Sequence, residues 1–339
     1  MPLLAPVLLP THERWFVESR PAGDWSFFFS PLPLALTAAV VVVTVAWRFV
    51  ALRVRGPELR VLQPLEQLVP WVPRLLGIHL GVALLALAAT GAFLTPSIDH
   101  LDGVVGASLL LLEAALGVWL VTGVRLRPAA GLVLALGPAL AVVAGPVALG
   151  ECANLAAVAA FLLVLPPSAD AHGAVRATPA QLRLALLLLR LGVGAALIVL
   201  AFSEKLTNPA MAIDTLERYP ALDVFALVGL DVAPATFVAV AGATELLFGL
   251  LVLSCALPQV AVLVAMVPFN ATLLIFGQTE MVGHLPVYGV FLALLVYGSS
   301  PVTAEAVRWL PRADLRPRRS AVGDRSQVRE GGLVEVGQG

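Results

Sequence analysis

An all-α, polytopic membrane protein is the fold class this sequence predicts, and three observations predict it. Hydrophobic residues make up 59% of the 339 positions and charged ones 13%, a balance that a water-soluble core cannot bury. The apolar residues gather into runs of about 20, the length a helix needs to cross the hydrocarbon of a bilayer. The basic residues fall almost wholly into every second connection between those runs, as the positive-inside rule requires. A formal net charge of −1 leaves no electrostatic footprint for a nucleic acid.

Residues 1–30 form an external N-terminal segment. Their apolar start is broken by Pro6 and Pro10 and has no basic flank, so a cleaved signal peptide is not expected. Trp15, Phe16, Trp25 and Phe27 to Phe29 suit the headgroup level of a membrane. His12 beside Glu13 reads as part of that interfacial segment rather than as a metal pair. Residues 31–73 hold the first crossing and a cytoplasmic linker.

Crossings are expected near 31–51, 74–95, 104–124, 128–149, 152–166, 184–203, 233–256, 258–277 and 285–301, about nine in all. Arginines follow the first (Arg53, Arg55, Arg60), the third (Arg125, Arg127) and the fifth (Arg176), and seven more lie in the tail from Arg308 to Arg329. With Arg48, Arg74, Arg183 and Arg190 at helix ends, 17 of the 21 basic residues lie on one side. The N-terminus is therefore expected outside and the C-terminus in the cytoplasm of a cell membrane. The Arg-rich tail, 303–339, has little to bury and reads as disordered. The longest external connection, 204–232, carries Asp214, Glu217, Asp223 and Asp231 around an apolar piece, Val224–Leu230, expected to lie along the surface or dip into it.

Spans two to five resemble spans six to nine. Glu113 in LLEAALG matches Glu245 in ATELLFG at an offset of 132, and Pro128, Pro138 and Asn154 match Pro258, Pro268 and His284 at an offset of 130. Thr95-Pro96 likewise corresponds to Asn208-Pro209. Four-helix units in tandem keep the same orientation, so the repeat is parallel, related by an axis along the membrane normal. The repeats occupy 74–167 and 184–302, joined by a cytoplasmic linker, 168–183. The first is the poorer copy, with Gly91 and Ala92 where the second has Glu204 and Lys205. Lys205 is the only lysine in the chain.

The second copy resembles the DoxX/DoxD-like family of four-helix membrane proteins. The resemblance rests on the Arg-Leu-Gly opening (Arg190 to Gly192), the Lys-Leu pair (Lys205, Leu206), the Glu-Leu-Leu-x-Gly-Leu helix (Glu245 to Leu250) and His284 near the external turn. It covers about a third of the chain, and 74–166 only by way of the repeat. It implies a membrane subunit in a quinone- or thiol-related redox pathway, with a quinone as the implied cofactor and soluble or membrane redox partners.

Glu245 and Glu113 stand near mid-span, where a charged side chain costs about 2.5–3.5 kcal/mol. Such a carboxyl either accepts a proton, for instance from a quinol, or is held neutral or paired within the bundle. Arg190 is the expected partner of Glu245, since helix rise sets the two only several ångströms apart in depth. His79 is the matching candidate for Glu113. Glu204, Lys205, Asp214, Glu280, His284, Glu151 and Asn154 are expected to cluster at the external mouth. There His284 suits proton transfer, and the lysine and carboxylates suit a polar headgroup. Mid-helix Asn270 is expected to seek a buried partner on a neighbouring helix.

The five histidines show no metal-ligand spacing, and no nucleotide-binding loop, dinucleotide fingerprint or Ser-elbow motif is present. Cys152 and Cys255 fall at opposite membrane faces, which excludes a disulfide within one chain. The site expected from sequence is thus Glu245, His284 and Glu113 as acid–base groups, with Arg190, Glu204, Lys205 and Asn270 binding substrate. Two rival readings stand beside the redox subunit. The parallel repeat suits a small-solute transporter or permease, and the Arg-rich tail and external loops suit a non-enzymatic scaffold or assembly factor.

Overall fold

The computed structural model describes residues 23–54, 56–96, 98, 101–144, 148–165 and 177–311. The first 22 residues of the interfacial segment, most of the 168–183 linker and the tail beyond Pro311 lie outside the described residues. So do the His12–Glu13 pair and the Glu151 side chain. Residues 310–339 form a separate unit, and the fold below is that of the unit ending at Trp309.

The chain is all-helical, with no strand among the described residues. A short α1 (Trp25–Phe28) leads into α2 (Pro31–Ala51), and a 3₁₀ segment (Arg60–Trp71) into α3 (Val72–Thr90). Then come α4 (Gly103–Thr122), α5 (Leu126–Ala144), the single turn α6 (Ala148–Glu151) and α7 (Ala153–Val164). The second half starts with α8 (Pro179–Leu200), which runs on as a π-helical segment (Ala201–Leu206). The short α9 (Pro209–Arg218) and α10 (Val224–Leu227) precede α11 (Pro234–Ser254), α12 (Pro258–Phe276), α13 (Gln278–Ser299) and α14 (Ala304–Arg308). Seven helical stretches are long and apolar enough to cross a membrane, and two shorter apolar helices fall at α5 and α7.

Local chemistry sets the ends. Thr178 and Gln181 form a reciprocal capping box before α8, with Pro179 in its first turn. Gly91 and Gly123 end α3 and α4 in the left-handed conformation, at φ 79° and 77°. Trp47 and Arg48 on α2 donate to the carbonyls of Ala256 and Cys255, just past α11.

Helix neighbours are the same in both halves. In the first, α3 packs most extensively on α4 and α5 on α7; in the second, α8 packs on α11 and α12 on α13. Each first pair is antiparallel and crosses at two glycines. A Cβ on Gly81 would stand 2.7 Å from Gly117 O, and one on Gly249 would stand 3.0 Å from Gly194 O. Gly194 lies 113 residues after Gly81 and Gly249 lies 132 after Gly117. These are the offsets that relate Thr95 to Asn208 and Glu113 to Glu245. Between the halves the contacts are reciprocal: α7 lies on α8, and α13 lies on α3. The helix α2 stands outside both halves, against α11. The connection after α9 leaves Val224, Leu227, Val228 and Leu230 exposed.

Candidate functional site

Two groups of polar side chains sit at the end of the molecule where α3 and α8 finish. The first is built by the π-helical segment. A π turn adds a residue to the helix and re-aims those around it, a feature frequent at functional sites. The Thr207 amide and hydroxyl both bond Phe202 O and close the segment. Its effect is to turn inward residues that the sequence placed at a solvated mouth. Glu204 is fully buried and Lys205 nearly so. Lys205 Nζ stands 2.9 Å from Glu245 Oε1 on α11 and 3.3 Å from Glu204 Oε2.

The expected Arg190–Glu245 pair is therefore not formed. Arg190 is buried, and donates from Nε to Leu186 O and from Nη2 to Trp309 O. The reason is directional: helical side chains lean toward their own N-terminus. On the antiparallel α8 and α11, Arg190 and Glu245 lean apart, whereas Lys205 leans back toward Glu245.

Glu113 holds the matching place in the first half with a different partner. It is wholly buried, and its Oε1 accepts the backbone N–H of Leu94 at 3.1 Å. His79 does not join it: His79 Nδ1 is 2.8 Å from Leu75 O, and its Cβ abuts Gly289 on α13. Asn270 also departs from expectation. It is exposed on the outward stripe of α12 with Val267 and Leu274, and donates to Met266 O one turn back. A helix apolar all round gives no sequence signal of which face is inner.

The second group faces a cleft between the two halves, walled by α3, α7, α8 and α13. Its walls carry residues in equivalent positions of both halves: Ala83 with Ala196, Leu87 with Leu200, and Asn154 with His284. The cleft is small, about 40 Å³ in volume, with room for roughly three water molecules. Its lining is mostly apolar, with His284, Asn154 and Thr95 supplying the polar side chains. Glu280, one turn before His284 in the first turn of α13, is 1% exposed, and its Oε1 lies 3.2 Å from His284 Nδ1. The helix dipole favours a carboxylate at that end. Phe269 presses edge-on against the imidazole, ring centroids 4.9 Å apart. The Glu280 carboxyl thus lies within ion-pair range of the imidazole.

Of the residues expected to gather at the mouth, the structure thus brings His284 and Asn154 to the cleft, with Glu280 behind His284, and Glu204 and Lys205 to Glu245. The sequence reading missed the segment 91–96, which tucks under α3. Its Leu94, Thr95 and Pro96 line the cleft, and the only sequence signal was Gly91 ending the helix early. Among the described residues no three His, Cys, Asp or Glu side chains converge as a metal set. Comparison with family models, with curated proteins and with solved structures finds no match.

Proposed function

We propose that this is a DoxX-like integral membrane subunit of a redox pathway, and that a lipid-soluble quinol docks at the mouth of the cleft between its halves with one ring hydroxyl reaching in toward His284. The observation that carries this reading is His284, facing a mostly apolar cleft and backed by the buried Glu280. Apolar walls suit a ring and its tail, and a neutral imidazole backed by a carboxylate suits a hydroxyl proton. In this reading the quinol gives two electrons to a partner redox protein. One proton goes to the His284 imidazole and the other to water at the cleft mouth. Lys205, held between two carboxylates, positions the exit of α8 rather than meeting the ligand. We place the site end of the protein outside the cell membrane and the C-terminus in the cytoplasm, on the distribution of arginine.

The test is purification in a mild detergent, mass spectrometry of bound quinones, and titration with decylubiquinone. Wild type is expected to carry or bind one quinone per chain, and His284→Ala and Glu280→Gln to weaken binding at least tenfold. Wild type that neither carries quinone nor binds the analogue overturns the proposal. One observation favours transport as a second reading. The cleft lies between helices of both halves, where transporters with parallel repeats hold their substrates. Solute uptake by proteoliposomes that His284→Ala abolishes, with no quinone bound, would replace the first reading with the second.

A further inference from the structure

The polar interior of the first half has a use of its own. Past Gly91 the chain turns back under α3: Ala92 N–H bonds Leu87 O, Phe93 N–H bonds Ile98 O, and Ile98 N–H bonds Thr95 O. Ala92, Phe93, Leu94 and Thr95 are all buried. Leu94 has φ 60°, a left-handed conformation that a branched side chain adopts only when its surroundings impose it. The constraint comes from two helices on opposite sides. Glu113 on α4 accepts the Leu94 N–H at 3.1 Å, and Cys152, just before α7, sets its Sγ 3.5 Å from the Leu94 carbonyl. Glu113 Oε2 is buried with no partner among the described residues, so this side chain is committed to one bond. Because Leu94, Thr95 and Pro96 face the cleft, that bond shapes the cleft wall.

We infer that Glu113 is a positioning residue for the cleft, acting as a hydrogen-bond acceptor that holds the 91–96 strap in its closed shape. The inference rests on the cleft being the binding site, but the strap has its own reporter. Cys152 is buried under Leu94, so release of the strap uncovers its thiol. Without an acceptor, the Leu94 N–H is a buried donor left unpaired, and the left-handed turn loses its restraint. Glutamine keeps the acceptor and removes the acid, so it separates positioning from proton transfer.

The experiment uses full-length protein carrying Cys255→Ser, labelled with N-ethylmaleimide and followed by mass. Glu113→Gln is expected to label Cys152 within twofold of the parent, and Glu113→Leu at least tenfold faster. Decylubiquinone binding should stay within threefold for Gln and weaken at least tenfold for Leu. Slow labelling in Glu113→Leu overturns the inference, because the strap then holds without its acceptor. Equal acceleration in Gln and Leu overturns it too, by making the charge what matters. If the leucine variant fails to fold, Glu113→Asp withdraws the acceptor by one methylene. It should label faster than Gln, and equal rates overturn the inference. Labelling involves no quinone, so a wild type that binds no analogue removes the proposed function and leaves the strap standing.

Discussion

Glu113 and Glu245 occupy the same place in the second helix of their respective halves, yet their surroundings differ in kind. Glu113 is wholly enclosed and meets a backbone amide, while Glu245 keeps 32% of its side chain exposed and meets a lysine. In both halves the carboxyl pins the chain where it leaves the first helix, at Leu94 in one case and Lys205 in the other. A mid-span glutamate is thus a tether in each half. Its partner and its exposure are what differ: a backbone N–H in an enclosed site in one half, a lysine in a half-open one in the other. The same divergence marks the cleft, where Asn154 faces the place of His284 and Gly150 that of Glu280. Among the described residues, the imidazole and carboxyl that meet beside the cleft both come from α13.

The comparison breaks most severely at Lys205. Replacing it with methionine removes a cation that Glu204, fully buried, and Glu245 share. Removing one partner of a buried pair costs about 3 kcal/mol or more, so Lys205→Met should give the largest fall in thermal midpoint of any change at the site end. Adding Glu204→Gln should recover part of that loss. A Lys205→Met protein that melts like wild type would show the ion group to be dispensable.

The glycine crossings test whether the halves share one packing geometry. A Cβ on Gly117 would stand 2.8 Å from Gly81 O and 2.8 Å from Leu85 Cγ. One on Gly249 would stand 3.0 Å from Gly194 O and 2.7 Å from Ile198 Cγ1. Backbone cannot yield as a side chain can, so Gly117→Ala should cost about 1–3 kcal/mol and Gly249→Ala should fall at the lower end of that range. Denaturation of both variants in detergent reads the order. The reverse order would mean that the second crossing, not the first, is the tighter joint.

These contrasts also mark what could be read from sequence. Helices were legible because apolar runs are one-dimensional signals, and the offset that matches Glu113 to Glu245 recurs between Gly117 and Gly249 at the helix crossings. Partners were not. Arg190 and Glu245 lie at compatible depths, but depth carries no direction, and antiparallel helices lean such side chains apart. Lys205 looked solvated because an α-helix ending near residue 203 would leave it in a loop, and nothing in AFSEKL announces a π turn. Asn270 was placed inside on the rule that polar mid-span residues face inward, which fails when the side chain bonds its own helix. The strap at Leu94 depends on one left-handed leucine, invisible to any periodicity.

The smallest effect is expected where the linker after α2 serves the second half. Glu58 Oε2 accepts the N–H of Gln259 at 2.9 Å and of Val260 at 3.4 Å, capping α12, and Gln259 Oε1 returns a bond to Leu59 N. Burial raises the Glu58 carboxyl above its ordinary value of 4.5, against the pull of those two N–H groups and of Arg308. A raised acid binds its proton more tightly in the folded chain than in the unfolded one. Its contribution to stability is therefore full below pH 4.5 and is lost as pH rises through the raised folded value. Glu58→Gln keeps an acceptor for the helix N-terminus and cannot ionise. Thermal midpoints taken between about pH 4 and pH 7 should fall for wild type relative to Glu58→Gln, the gap opening only above the ordinary carboxylate range. Parallel curves would mean that Glu58 ionises in the folded protein as it does in the unfolded chain, with its two backbone donors offsetting its burial.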